Sequence, residues 1–436
     1  MQRLARNTSW LLAAEVVATI VSIFQFPLVA RLLGVERFGV LHLVMSSVGL
    51  ITALLTVRVW ETIIRFLTEF EAQDEAERAL AIVKLAYGLD IVLGVLVFAF
   101  VAVIAPFLGT LVVQTSDATD LIRLEGLRHL LLATSGASTA ILRVFDRFRW
   151  LSAFNAFSAI GIFALVVLSL FLGWDVFGYI LAFMLIAAAQ SIILYRIATH
   201  ILRVRFGGNW WSANLTNLRD LRRPIAVMLF SINVDALRKV ATANADTVIL
   251  GLFTGPYSVG IYRLAKQLAG YATRLSNPLY TALYPEIVRL YNEHGIVRLR
   301  AFVGQLTLTL AAGVATLIGG ALLLGRTVIL GIFGSDYEPA IPIFYIIMFM
   351  HVWLVFLWAP GVLLTLDKAR QLTIVNLVSS TIMIGALLIL TPLWSEYGAA
   401  IALALNFLVW SFLIAWYLTQ LNLFKNIIRK STLGNS

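Results

Sequence analysis

The 436-residue chain contains no cysteine. Disulfides and thiolate metal sites are excluded, and cysteine usage says nothing of redox compartment. Charge is scarce too. Asp, Glu, Lys and Arg make up 13% of the residues and hydrophobic types 60%, where a soluble domain carries about 25% charged and about 45–50% apolar residues. So apolar a globule could not cover its surface with polar groups, whereas a chain dissolved in a bilayer has no need to. No Gly-x-x-x-x-Gly-Lys loop cradles nucleotide phosphates, which excludes a built-in Walker-type ATPase, and no His-Glu-x-x-His pair is present for zinc. The five histidines stand singly. Asp117 and Asp120 fall on one short loop, a weak signal for a metal or a glycosidase. These absences point away from an enzyme and from any bound cofactor.

What is present is a series of apolar stretches of about 20 residues, the length that crosses a hydrocarbon core of about 30 Å as a helix. They fall at 8–30, 39–57, 80–105, 121–142, 151–173 and 177–197, then at 224–253, 257–283, 301–325, 340–365, 371–393 and 397–420. The first begins like a signal peptide, with Arg3 and Arg6. Its apolar run is too long for one and contains Glu15, so it reads as a span. The fold class expected is an all-α polytopic membrane protein of about twelve transmembrane helices.

The net charge of +10 would suggest nucleic acid in a soluble protein. Here the loop rule for membrane proteins explains it. With the N-terminus inside, the two termini and the even-numbered loops hold 22 of the Lys and Arg residues, against only Arg31, Arg37 and Arg326 outside. Both termini are thus expected in the cytoplasm, and no polyanionic partner is required. The longest polar stretch, 198–223, is basic and carries Trp210 and Trp211. It is expected to be an interfacial cytoplasmic linker between an N-terminal half, 1–197, and a C-terminal half, 224–436. Lys84, near a span end, is expected to snorkel to the interface, and Arg123, Glu125 and Arg128 to form an interfacial charge cluster.

The halves repeat. Asp146-Arg147-Phe-Arg149 and Leu151 match Asp367-Lys368-Ala-Arg370 and Leu372, 221 residues on, as Gly39, Leu43 and Gly49 match Gly260, Leu264 and Gly270. Trp174 and Gly178 match Trp394 and Gly398 at 220. One offset in one order marks a duplication. Six spans per half make the repeats parallel, related by an axis along the membrane normal around a central cavity, as in many secondary transporters. A duplicated scaffold without transport is the alternative.

Ala30-Arg31-Leu32-Leu33-Gly34 through Phe38-Gly39, and Asp246 through Gly251 followed by Val259-Gly260-Ile-Tyr262-Arg-Leu-Ala265, resemble the polysaccharide transporter family, the Wzx-type O-antigen and capsule flippases of the multidrug/oligosaccharidyl-lipid/polysaccharide superfamily. The resemblance covers essentially the whole chain. It implies a flippase that moves an isoprenyl-pyrophosphate-linked oligosaccharide across the bacterial inner membrane for surface polysaccharide assembly. Partners would be that lipid-linked substrate, membrane lipids and other polysaccharide-assembly membrane proteins.

A charge at mid-membrane costs on the order of 3 kcal/mol and marks a functional position. The seventh span carries Asp235, Arg238, Lys239 and Asp246; the eighth carries Arg263, Lys266, Gln267 and Arg274 around Gly270, at helical three-to-four spacing. Arginine pairs phosphate oxygens two at a time, and lysine supplies a point charge. Arg238, Arg263, Lys266 and Arg274 are therefore the expected cationic lining for a diphosphate. Internal pairs of Asp235 with Arg238 and of Asp246 with Arg263 are the competing reading. Glu15, Asp90, Asp235 and Asp246 are candidates either for coupling to a proton or sodium gradient or for internal pairing. Asp146-Arg147 and Asp367-Lys368 read as tight charged turns. A cation-coupled multidrug exporter and a membrane glycan polymerase or ligase remain the other functions considered. The first would want carboxylates where cations stand, and the second a polar loop to house its active site.

Overall fold

A computed structural model describes residues 2–57 and 59–420; within its helices the side chains of 2–8, 230–243, 274–275 and 277–278 lie outside the described residues. Among the described residues there is no strand. The α-helices are α1 (Gln2–Leu55), α2 (Trp60–Ala72), α3 (Ala76–Leu108), α4 (Ala118–Leu131), α5 (Ser135–Val144), α6 (Phe148–Phe171) and α7 (Asp175–Phe206). They continue with α8 (Arg222–Thr254), α9 (Pro256–Phe333), α10 (Ala340–Phe349), α11 (Ala359–Thr365) and α12 (Ala369–Gln420).

Three of these runs are too long for one crossing, since a helix rises about 1.5 Å per residue. Each contains a break. Gly34 divides α1 with φ 71° and ψ 171°, Gly295 divides α9, and Trp394 with Ser395 divides α12. The opposite occurs in the fourth and tenth spans, where α4 and α5, and α10 and α11, are broken halves of one crossing. Counted this way, the described residues form twelve successive membrane-length segments, and the expected polytopic all-α fold is borne out. Among the described residues, seven helices are long and apolar enough on their own to cross a membrane. The fourth segment falls short because its break leaves α4 with 14 residues and α5 with 10, and because Asp120, Arg123, Glu125 and Arg128 lie within α4.

The breaks carry the duplication into the backbone. Gly34 and Gly255, Asp74 and Gly295, and Asp146 and Asp367 each have positive φ and stand 221 residues apart; Gln114 and Gly334, and Asp175 and Ser395, stand 220 apart. A left-handed residue reverses the chain at the end of a helix and frees the last carbonyls for tight turn bonds. After Asp146 the N–H of Arg147 donates to Leu142 O at 2.7 Å, and after Asp367 the N–H of Lys368 donates to Leu363 O at 2.7 Å.

Two units cluster by internal packing, Met1–Val248 and Ile249–Ser436. The core of the first includes Phe66, Ile82, Ile141, Leu142, Leu194 and Ala198. That of the second includes Ile287, Val303, Val362, Leu363, Ile414 and Leu418. These are the same six positions at the repeat offset, so one packing solution serves both units.

The segment 58–79, which the apolar stretches leave between two spans, holds α2. Its buried Ile63, Phe66, Leu67 and Phe70 recur at i, i+3, i+4 and i+7, the pattern of an amphipathic helix. The linker also differs from the expectation. Its first residues belong to α7, which ends in a left-handed Gly207. Trp210 packs on Tyr87, with ring centroids 4.7 Å apart and ring planes tilted by 33°, while Trp211 stays 46% exposed. Lys84 does not snorkel: its ammonium donates to the linker carbonyl of Ala213 at 2.8 Å.

Candidate functional site

In the second unit, the stripe predicted on the eighth span is built by the first turns of α9. Arg263 and Lys266 are half-buried on one face, next to the fully buried Tyr262 and Leu264. Lys266 Nζ lies 5.9 Å from the centroid of the Tyr262 ring, which offers it a cation–π surface. Among the described residues, a Cβ added at Gly270 on the same face would meet nothing within 4 Å, so the stripe is open at that level. One turn further, Thr273 Oγ1 lies 3.3 Å from Nε2 of His351, and His351 Nδ1 lies 3.2 Å from Met348 O. His351 is fully buried in the short 3₁₀ stretch between α10 and α11. Sequence reading passed over this histidine as a lone one; no local signal ties it to the stripe. The arrangement can present two cations to an anion, while the buried imidazole of His351 fixes the Thr273 hydroxyl one turn away.

The equivalent face of the first unit is filled. His42 stands where Arg263 does, and its ring packs edge-on against Phe38 at 4.5 Å. A Cβ at Gly49, the counterpart of Gly270, would meet the Asn244 amide at 3.5 Å.

The first unit has a different polar feature. Asp90 on α3 reaches the break between α4 and α5, where its Oδ2 accepts the N–H of Ala137 at 3.0 Å. The first N–H groups of α5 have no partner within their own helix, and a carboxylate from the neighbouring helix supplies one. Asp90, His129, Thr52 and Thr56 line a cavity of about 210 Å³ with Leu93 and Gly94. Asp90 thus pairs with the backbone rather than with a basic side chain among the described residues. Beyond His129, Arg128 Nε donates to Glu125 at 2.9 Å, and Glu125 is 1% exposed. Glu125 and Arg128 therefore form an internal ion pair, while Arg123 alone keeps the exposed position expected of the three, facing Asp120 at 3.7 Å. Asp246 is fully buried and accepts the Thr247 N–H at 2.7 Å and its hydroxyl at 3.2 Å. Glu15 is exposed on α1. The side chains of Asp235, Arg238 and Arg274 lie outside the described residues.

At the opposite end of α4, Arg37 joins two loops. Its Nη1 and Nη2 donate to the two oxygens of Asp117 at 3.2 and 2.7 Å, and its Nε donates to Asp175. The hydrogen bond from Arg37 holds the Asp117 carboxyl below its ordinary pKa, and the bond to Asp117 raises the Arg37 guanidinium. Asp117 is thereby assigned to structure. Among the described residues no group of three His, Asp or Glu side chains could hold a metal ion.

Residues 4–291 match the family described as polysaccharide biosynthesis protein. The chain belongs to this family. As a family member it is 23% identical over 372 residues to the teichuronic acid biosynthesis protein TuaB of Bacillus subtilis (strain 168), covering 81% of this chain and 71% of that one. It is 26% identical over 201 residues to the putative O-antigen transporter of Escherichia coli (strain K12), a match over 44% of this chain and 47% of that one. In three dimensions this member of the polysaccharide biosynthesis family is similar to the lipid II flippase MurJ in an inward closed conformation, with a TM-score of 0.72 at 13% identity over 94% of this chain and 87% of that one. It is also similar to an inward-facing multidrug resistance MATE transporter of the MOP superfamily, with a TM-score of 0.65 at 13% identity and 96% coverage of both chains. These likenesses show the fold: a multi-pass membrane architecture used by transporters.

Proposed function

We propose that this protein is a flippase that carries an isoprenyl-pyrophosphate-linked oligosaccharide across the cytoplasmic membrane by alternating access, with its termini in the cytoplasm. The observation that carries the reading is the α9 stripe: Arg263 and Lys266 lie half-buried on a face that opens at Gly270, in a chain whose family is named for polysaccharide biosynthesis. A diphosphate resists entry into hydrocarbon, and guanidinium and ammonium groups replace its lost hydration. Arg238 and Arg274 complete the set on the seventh and eighth spans. Relatives named for teichuronic acid biosynthesis and O-antigen transport fit a glycopolymer precursor as cargo. The halves 1–197 and 224–436 are the repeats that alternate, with 198–223 between them.

Asp90 is the best placed of the coupling candidates Glu15, Asp90, Asp235 and Asp246, because it shares a small cavity with His129. A proton or sodium ion bound there would be sensed by the α4–α5 break, through the Ala137 N–H. Other polysaccharide-assembly membrane proteins would receive the product.

The test is a profile of lipid-linked glycans in cells depleted of the protein. Accumulation of a complete isoprenyl-pyrophosphate oligosaccharide on the inner leaflet, with loss of surface polysaccharide, is expected. Normal glycan export with altered drug sensitivity would replace this reading with that of a multidrug exporter. A full-length glycan left unjoined outside the membrane would point instead to a polymerase or ligase.

A further inference from the structure

The arginines of the first unit near α2 and the linker are mostly engaged. Arg78 pairs with Asp220 at 3.1 Å, and Arg205 with Glu71 at 2.7 Å. Arg143 lies over the Trp60 ring at 4.7 Å, and Arg203 over Trp211 at 5.5 Å. Two others differ. Arg65 on α2 and Arg223 at the start of α8 are exposed, and among the described residues neither has a carboxylate within ion-pairing distance. They share a groove of about 430 Å³ with Pro224, Val227 and Met228.

The floor of this groove is apolar and open. Val227 is 58% exposed, while Met228 packs against the core of the first unit. The Arg65 guanidinium is laid along that floor: its Nη1 is 3.7 Å from Met228 Sδ, and its Cζ is 5.4 Å from the Phe66 ring. Two uncompensated guanidiniums therefore stand beside an exposed apolar strip, at the point where α8 starts its apolar course. A soluble anion would satisfy the arginines and leave the strip in water. An acidic protein segment would do the same. A membrane lipid with a phosphate head satisfies both, since guanidinium forks match phosphate oxygens and an acyl chain covers Val227 and Met228.

We propose that this groove is a binding site for one anionic phospholipid, its phosphate held between Arg65 and Arg223 and its chain lying on Val227 and Met228. The lipid ties α2 to α8, elements separated in sequence by five intervening α-helices and the linker. The inference rests on the membrane reading of the fold and is independent of the cargo.

Native mass spectrometry of the full-length, detergent-purified protein titrated with phosphatidylglycerol tests it. The R65Q/R223Q variant is expected to bind this lipid about 30-fold more weakly, the loss that two arginines near a charged membrane surface imply. R147Q/R149Q removes the same charge from another exposed pair and should change binding by no more than about twofold, since screened charges at a distance contribute little. Phosphatidylethanolamine should not displace phosphatidylglycerol. Undiminished binding to R65Q/R223Q, or an equal loss in R147Q/R149Q, would overturn the site. Competition by inorganic phosphate at equal concentration would make it a soluble-anion site, and preference for an isoprenyl diphosphate would make it a site for the carrier lipid; either result removes the phospholipid. Should the double variant misfold, R223Q alone, which leaves the α2 packing intact, is expected to bind about fivefold more weakly by the same rule.

Discussion

Asp146 and Asp367, 221 residues apart, end their helices in the same left-handed conformation, with φ of 54° and 56°. Each is followed by a basic residue whose N–H closes an identical 2.7 Å bond to a carbonyl five residues back. The turn is thus a duplicated device, and its aspartates carry the conformation that glycine would adopt without cost. A non-glycine residue in this region costs roughly 1–2 kcal/mol, less for Asp and Asn. Replacing either aspartate by glycine should leave stability unchanged or raise it slightly. A β-branched residue should lower it by about 1–2 kcal/mol. D146V and D367V should lose similar amounts, read as thermal midpoints in detergent; a loss at one turn only would show that the two are not equivalent.

The Arg37 cluster predicts acid sensitivity where the loops before α4 and α7 meet α1. The folded pKa of Asp117 is depressed by the Arg37 bond, so its contribution is present above the unfolded value of about 3.9 and is lost as pH falls through the folded value. R37Q should be less stable than the parent at pH 7. The gap should close as pH drops below about 4. A gap that persists unchanged there would show that Arg37 acts through packing alone. Because both side chains are about one-third exposed, the effect should be modest and weaken in salt.

Asp90 should matter to the fold as well as to transport. D90A orphans the Ala137 N–H at the start of α5 and is expected to cost about 1–3 kcal/mol. D90N keeps an acceptor oxygen and should cost less. If Asp90 is the coupling site, D90N folds normally but loses the dependence of flipping on the ion gradient in proteoliposomes. Gradient-driven flipping by folded D90N would assign Asp90 to structure only.

Gly270 and Gly178 should part company. A Cβ at Gly270 meets nothing within 4 Å, whereas one at Gly178 would fall 2.6 Å from the Ser169 Cβ. G270A should stabilise by about 0.5–1 kcal/mol, since alanine favours a helix over glycine. G178A should destabilise the first unit. G270L should fold yet impair glycan export if the stripe faces cargo; full export by G270L would remove that face from the pathway.

R263Q/K266Q should fold and lower flipping of a diphosphate-linked glycan at least tenfold, the loss of about 1.4 kcal/mol from charge-assisted phosphate bonds. Intact flipping would assign both cations to internal pairing.

Much of the fold was written in local pattern. A bilayer demands about 20 apolar residues per crossing, so composition and hydropathy along the chain determined the spans, and repetition at one offset determined the duplication. Asp146 and Asp367 were legible as turns because a turn is made by adjacent residues. The stripe at Arg263, Lys266 and Gly270 was legible because a helix places every third or fourth residue on one face. The tertiary structure decided the rest. Only packing brings Asp90 to the Ala137 N–H, Thr273 to His351, Trp210 to Tyr87, and Arg37 to both Asp117 and Asp175. Those partners lie 47 to 138 residues apart in sequence, and no periodicity links them. Hydropathy ranks a residue by its neighbours along the chain, whereas the energy of a buried charge or amide is set by its neighbours in space.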